Sequence, residues 1–388
     1  MIENLHKVIR RELGIILRRP LYILGSVGVM LVSTLFFTTF MGQGLPQKLR
    51  IGVVDLDNSS TSRNFRQQLD ATQLGQVVEF ESLSAAQREL ETGRINGYVL
   101  IPEHFDQELQ AFHCPKMQVQ VNLMYPVIGG ALAYKDLLYM VNLTNGAVQR
   151  QVLRAKGVPE WEIMGKLQPV AIDAHNVGNA ETNYSYYLVN MILMGILGMS
   201  VTLVVAYSMG AELKYGTSKH LLDTAGDDIF TAVMGKMVPY TVLFTVLGWC
   251  VQLLLFGQLH YPLAGNALWL LLVTFLFVLA YQAVAVFIVS MAPTLRLGVC
   301  LSALYSVLGF SFAGFTLPIE SLPAALQGLS VIFPLRFYYM IYSRVVYFGT
   351  GFEAWWPYLV AMLCFMLLPP IVSVRLKNAY RYQNYPRN

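Results

Sequence analysis

"GAELKYGTSKHLLDTAG", residues 210–226, decides how the chain is read. About 25 residues without a charge precede it, and another apolar stretch begins shortly after it. Within it stand Glu212, Lys214, Lys219, His220 and Asp223, in a half of the chain with little other charge. A compact polar segment between two such runs reads as a loop between membrane crossings. Composition agrees. Of 388 residues, 55% are hydrophobic and 13% charged, with mean hydropathy +0.49, whereas a soluble domain carries about 25% charged residues. The net charge of +4 is too mild to suggest a nucleic-acid partner. In a membrane protein the placement of Lys and Arg says more than their sum.

Working outward, six runs are long enough to cross about 30 Å of hydrocarbon: 21–41, 187–208, 237–257, 267–291, 297–318 and 355–374. The first lacks a small-residue cleavage site, so it reads as a span and not a signal peptide. Residues 1–20 place Ile2, Leu5, Val8, Ile9, Leu13 and Ile16 on one helical face, with Lys7, Arg10, Arg11, Arg18 and Arg19 supplying the other. That is the pattern of an amphipathic helix lying at the membrane interface. The basic residues ahead of the first span put the N-terminus in the cytoplasm. Six spans return the basic C-terminus to the same side. Arg296 and segment 210–226 then fall inside, and the Lys- and Arg-free "QLHYPLAGN" loop falls outside.

Residues 42–183 are mixed and charged. "LRIGVVD", "QVVEFES", "GYVLIP" and "MQVQVNL" read as strands, and "NFRQQLDATQL", "SAAQRELETGR" and "EHFDQELQAF" as helices. A longer helix is expected over 129–157, and "VAIDAHN" as a returning strand. Strands alternating with helices indicate a small α/β domain, about 140 residues long and able to bury its own core. Following an inside-to-outside span, it lies outside the cytoplasm.

The region 319–348 is too apolar for a loop and is broken by Pro323 and Pro334. It is crowded with aromatic residues, among them Phe333, Phe337, Tyr338 and Tyr342. Two short helices dipping into, or lying on, the outer interface are expected, with Arg336 and Arg344 snorkelling to headgroups. A gate and a plain aromatic belt both fit this pattern.

No G-x-x-x-x-G-K-[ST] motif occurs, so the chain binds no nucleotide by a P-loop. The six runs contain no Asp, Glu, Lys, Arg or His, which disfavours an ion-coupled carrier. No Ser/His/Asp or metal-ligand grouping falls at one depth, and Cys114, Cys250, Cys300 and Cys364 form neither a disulfide framework nor a zinc spacing. No catalytic residue, metal or bound cofactor is expected. What remains is a membrane machine driven from elsewhere, or a receptor with 42–183 as its ligand domain. A receptor needs a cytoplasmic output larger than any segment here provides.

Gly216 is placed to end one helix and Thr217 to cap the next. Leu221 and Leu222 then face the cytoplasm on a two-turn helix, suited either to a groove on a partner or to the lipid surface. At this point the chain resembles the membrane subunit of type-2, or type V, ABC exporters, over nearly its whole length. The hallmark is carried by Glu212, Gly216, Thr217, Leu221, Leu222, Thr224, Gly235 and Lys236. "IGVVDLDNSSTSRNF", "GRINGYVLIPEHF" and the stretch holding Pro318, Pro323, Pro334 and Arg344 add to the likeness. Ala211, Leu213, Lys214 and Ala225 depart from the family pattern.

The resemblance implies a polytopic α-helical membrane protein with six transmembrane helices. Residues 1–20 would be a cytoplasmic elbow helix, 42–183 an inserted extracytoplasmic α/β domain, and 319–348 the outer re-entrant segment bearing Pro318, Pro323, Pro334 and Arg344. It implies a permease subunit in a bacterial inner membrane that exports an unidentified substrate. Two such subunits, identical or related, would pair with two cytoplasmic ATPase subunits that carry ATP and Mg. Residues 217–224 would couple to the ATPase, with Glu212, Tyr215, Gly216, Thr217, Leu221, Leu222 and Thr224 in the contact. The likeness leaves room for a periplasmic adaptor and an outer-membrane channel. Asn190, Ser200, Thr202, Ser302, Ser306 and Ser311 are candidates for a substrate path, or else for plain helix packing. An impermeant thiol reagent added from outside is expected to label Cys114; labelling from the cytoplasmic face alone would reverse the topology.

Overall fold

The two kinds of sequence fold as two units, 43–175 and 1–42 with 176–388. The computed structural model describes all residues except 1, 45–47, 73–74, 112, 114, 123–130, 169–177, 180–182 and 383–388. Cys114, Leu123 and the expected "VAIDAHN" strand lie outside the described residues.

Residues 43–175 build a four-stranded sheet from β1 (Leu49–Asp55), β2 (Gly75–Glu79), β3 (Gly97–Ile101) and β4 (Gln118–Val121), in the order β2-β1-β3-β4. β1 pairs in parallel with β2 and β3, while β4 runs antiparallel beside β3, with Val99 opposite Val119. The central strand has four consecutive buried residues, Ile51, Gly52, Val53 and Val54, as expected where both faces are covered. The alternation of "QVQV" belongs to an edge strand with one wet face. Helix α3 (Ser60–Asp70) starts where the Ser59 hydroxyl accepts from the Ser62 N–H, and α4 (Leu83–Glu91) where Ser82 does the same for Ala85. Phe65 and Leu69 of α3 pack on Ile51, Val53 and Val99, together with Phe105 of α5 (Phe105–Gln110) and with Leu137 and Met140 of α6 (Ala131–Ala155). Ala86 and Leu90 of α4 cover the opposite face at Val54 and Tyr98. A further helix, α7 (Glu160–Leu167), follows Pro159 and opens with Glu160 and Glu162; the sequence reading did not single it out.

In the other unit, α1 (Ile2–Arg18) leads into α2 (Pro20–Phe40). Then come α8 (Ser185–Lys214), α9 (Ser218–Thr224), α10 (Ile229–Gln258), α11 (Ala267–Met291), α12 (Leu295–Ser311), α13 (Ala324–Ser330), α14 (Pro334–Val346) and α15 (Trp356–Tyr382). Five of these (α2, α8, α10, α11 and α15) are long and apolar enough to cross a membrane. α8 and α11 are the most buried, whereas α2 and α15 leave most of their apolar surface exposed.

The expected fifth span, 297–318, is shorter than its apolar run. α12 stops at Ser311, and the chain leaves helical geometry before Gly314 (φ +92°) and Pro318. Its 17 residues reach about 25 Å. It packs along its whole length against the stretch of α8 from Gly195 to Gly210. A Cβ on Gly210 of α8 would meet the Leu295 Cα at 2.8 Å, and one on Gly195 would meet the Phe310 ring at 2.3 Å. The two helices therefore lie antiparallel and in contact at both ends, as small residues allow.

α1 also differs from its expected two-faced form. Val8 and Ile16 are buried, while Ile2, Leu13 and Leu17 are exposed. It thus carries a protein-facing stripe, a separate exposed apolar stripe and a basic side.

Candidate functional site

Segment 210–226 is shaped by local rules. α8 ends because the chain turns left-handed at Gly216 (φ +69°). The Thr217 N–H donates to the Glu212 carbonyl at 2.9 Å and the Gly216 N–H to that of Leu213 at 3.3 Å, the paired bonds of a glycine-terminated helix. α9 ends the same way, with Gly226 at φ +73°, the Asp227 N–H on the Leu222 carbonyl at 2.8 Å and the Gly226 N–H on that of Asp223 at 3.1 Å. Asp228 then accepts from the N–H groups of Phe230 and Thr231 at 3.2 and 3.0 Å and starts α10. Thr217 does not cap α9, contrary to expectation. Its backbone is helical, and its hydroxyl donates instead to Glu212 Oε2, since a buried carboxylate is the stronger acceptor.

Glu212 belongs to a buried charge cluster that sequence reasoning did not assemble. Arg11 of α1 grips it with two parallel bonds, Nη1 to Oε1 at 2.8 Å and Nη2 to Oε2 at 2.9 Å. Lys236 of α10 donates to Glu212 Oε1 at 2.8 Å and to Glu12 Oε2 of α1 at 2.7 Å. The Ser208 and Tyr240 hydroxyls complete Glu12, donating to Oε1 at 2.8 and 2.7 Å. Glu12 is 0% and Lys236 1% exposed. Two carboxylates and an ammonium are thus held out of water, balanced by the partly buried Arg11 guanidinium, with every carboxylate oxygen accepting a bond. A desolvated cluster persists only under such complete pairing. Gly235 lets α1 come this close: a Cβ there would lie 2.8 Å from Val8 Cβ.

The expectation of charge-free spans is corrected accordingly. α8 and α10 extend past their apolar runs, to Lys214 and back to Ile229, and so include Glu212 and Lys236 near one end. A signal existed in Glu12, which interrupts the apolar spacing Val8, Glu12, Ile16, and in Lys236, already part of the family hallmark.

The expected exposed leucines are also corrected. Leu221 and Leu222 are 1% and 3% exposed and belong to the helical unit's own core. Ser218, Leu221, Leu222 and Ala225 share the inner face of α9, while Lys219, His220 and Asp223 form the outer one. Thr224 donates to the His220 carbonyl of its own helix at 2.7 Å. Tyr215 is exposed, with the Arg19 guanidinium 5.2 Å from its ring centre. α15 fastens the segment from its other side. The Ser218 hydroxyl donates to the Tyr380 carbonyl at 2.9 Å, and Lys377 donates to the Asp227 carbonyl at 2.6 Å. The Asp227 carboxylate faces Arg381 and Lys377, whose hydrogen bonds hold it below the usual carboxylate range.

Of the substrate-path candidates, Asn190, Ser200, Thr202, Ser302 and Ser306 are buried within this chain and Ser311 is exposed. Thr202 donates to the Gly198 carbonyl and Ser306 to the Ser302 carbonyl, each at 2.8 Å within its own helix. Asn190 accepts from Gln252, which also donates to the Tyr338 hydroxyl at 2.7 Å. Among these six, only Asn190 is joined to other helices by side-chain hydrogen bonds.

In 319–348, α13 and α14 are bent from each other by 88°. Pro323 immediately precedes α13, Pro334 opens α14, and Pro318 precedes the single turn Ile319–Ser321, positions where a missing N–H costs nothing. The arginines do not snorkel. Arg344 donates to the Tyr358 hydroxyl and the Met340 carbonyl, both at 3.0 Å, and Arg336 bonds to Ser330 and to the Gln327 carbonyl. Phe333, Phe337, Tyr338 and Tyr342 are buried, so much of the aromatic crowd is core packing and not an interfacial belt.

Comparison with known proteins follows the same lines. The family described as ABC-2 family transporter protein matches residues 21–374. The chain is 22% identical to the "Probable multidrug ABC transporter permease YbhR" of Escherichia coli K12 over 371 residues, 93% of this chain and 95% of that protein. It is 23% identical to the "Inner membrane transport permease YhhJ" of the same organism over 276 residues, 71% of this chain and 70% of that one.

Lys236→Met would leave Glu12 and Glu212 facing each other without their shared cation. We expect a loss of about 3–5 kcal/mol, read as a lower unfolding temperature in detergent. Combining it with Glu12→Gln should restore part of that loss; strictly additive losses would show that the two residues are not coupled.

Proposed function

The chain belongs to the ABC-2 family of transporter proteins, and on that premise we propose that it is the membrane-spanning half of an exporter powered by separate ATPase subunits. The observation that carries this reading is the mounting of α9. Its outer face presents Lys219, His220 and Asp223, while its inner face and both ends are tied to α8, α10, α1 and α15 through Leu221, Leu222, the Glu212 cluster and Ser218. A push on that outer face would reach α1, α8 and α10 through the buried charge cluster, whose bonds cannot stretch without exposing charge, and α15 through the Ser218 bond. ATP binding and hydrolysis on the partner would supply the push, and two permease copies would enclose the route.

The charge bias of the termini and loops supports cytoplasmic N- and C-termini and an extracytoplasmic 43–175 unit. The inner membrane is proposed as the location, on the printed name of one relative. Drug-like cargo is proposed on the printed name of another. A periplasmic adaptor and an outer-membrane channel are proposed as further partners, on the size of the 43–175 unit.

Replacing Lys219, His220 and Asp223 together by Ala is expected to cut co-purification of the ATPase subunit about tenfold, as loss of a contact patch does, at an unchanged unfolding temperature. Leu221→Asp with Leu222→Asp should instead lower the unfolding temperature. Undiminished ATPase association in the triple variant would sink the docking role of α9.

A further inference from the structure

A cavity of about 590 Å³ opens between α1, the start of α2 and the end of α8. This is the size range of ligand pockets, about 300–1,000 Å³. Its wall is basic. Arg10, Arg11, Arg18, Arg19 and His220 line it, and among the described residues Glu212 is its one carboxylate. Glu212 is already engaged by Arg11, Lys236 and Thr217. Arg10 and Arg18 make no ion pair among the described residues, and Arg19 stacks on Tyr215. Three exposed guanidinium groups therefore line one hollow whose single carboxylate is already paired.

The surroundings of the hollow say which anion. On α1 the basic side adjoins the exposed apolar stripe of Leu13 and Leu17, and Leu21 and Leu24 at the start of α2 are exposed as well. A helix of this kind lies with its leucines among acyl chains and its arginines at phosphate level. Ile15 and Tyr22 give the same cavity an apolar portion. Gly14 leaves it open: a Cβ there meets nothing within 4 Å.

We infer that this cavity binds the headgroup of an anionic phospholipid, its phosphate held by Arg10, Arg18 and Arg19 and its chains running along α1 and α2. In the orientation proposed above this is a lipid of the cytoplasmic leaflet. The charge cluster forms part of the cavity wall through Arg11 and Glu212, so an occupied cavity would brace α1 against α8.

The test uses the full chain in detergent with phosphatidylglycerol or phosphatidylcholine at equal mole fraction, bound lipid being counted by native mass spectrometry. Wild type should retain phosphatidylglycerol preferentially. Arg10→Gln, Arg18→Gln and Arg19→Gln together should weaken retention about 100-fold, since each basic residue near an anionic headgroup contributes about fivefold. Gly14→Trp should abolish retention with every charge intact, because the indole fills the cavity. No lipid preference in wild type would overturn the site whether or not a variant folds. Undiminished retention in Gly14→Trp would reduce it to diffuse surface attraction, and displacement by inorganic phosphate or soluble glycerophosphoglycerol would make it a free-anion site; either result overturns the proposal.

Discussion

One ammonium group holds the helical unit to a single arrangement. Lys236 lies between Glu12 and Glu212, and those two carboxylates come from helices about 200 positions apart in the chain. Removing any one member would leave a buried charge without its partner, a far larger penalty than the net gain from forming the set. α1, α8 and α10 therefore cannot shift separately by even the length of a hydrogen bond. The apolar contacts around them would tolerate sliding, because lipid solvates leucine as well as protein does. The charge cluster supplies the register that membrane helices lack from hydrophobicity alone.

That constraint explains why 210–226 is both polar and rigid. Two left-handed glycines and one Asp cap set its turns from within, and the cluster fixes where those turns sit. Thr217 joins the two levels, since its amide closes α8 while its hydroxyl completes Glu212. A segment built this way moves as a body with the helices on either side of it. Transmission of force to the membrane requires that property, and a flexible linker would lack it.

Much of this was legible in the sequence, for identifiable reasons. β1 was readable because the four-residue apolar run Ile51–Val54, with both faces covered, has few other uses, and Gly216 because a helix needs an exit at that point. The outward placement of Leu221 and Leu222 misled because a seven-residue helix has too few turns to show which face is packed; only the neighbours α8, α10 and α15 decide that. Glu12 looked like one polar residue among the arginines of α1, and its role depends on a lysine 224 positions away. The length of α12 was hidden because hydropathy counts apolar residues and takes no account of the turn at Gly314.

The division of α9 into a buried leucine face and an exposed charged face changes what the family hallmark means physically. In this chain Leu221 and Leu222 are not a surface offered to another protein but the anchor of the segment in its own bundle. The partner would meet Lys219, His220 and Asp223, and such polar side chains set specificity and orientation more than bulk affinity. The anchoring residues and the exposed charged residues are thus separate on one short helix. Lys214 is exposed, so a change there would leave the packing of Leu221, Leu222 and Glu212 untouched. Of the four positions where the sequence reading found departures, 211, 213 and 225 are buried and concern packing, and Lys214 alone is exposed.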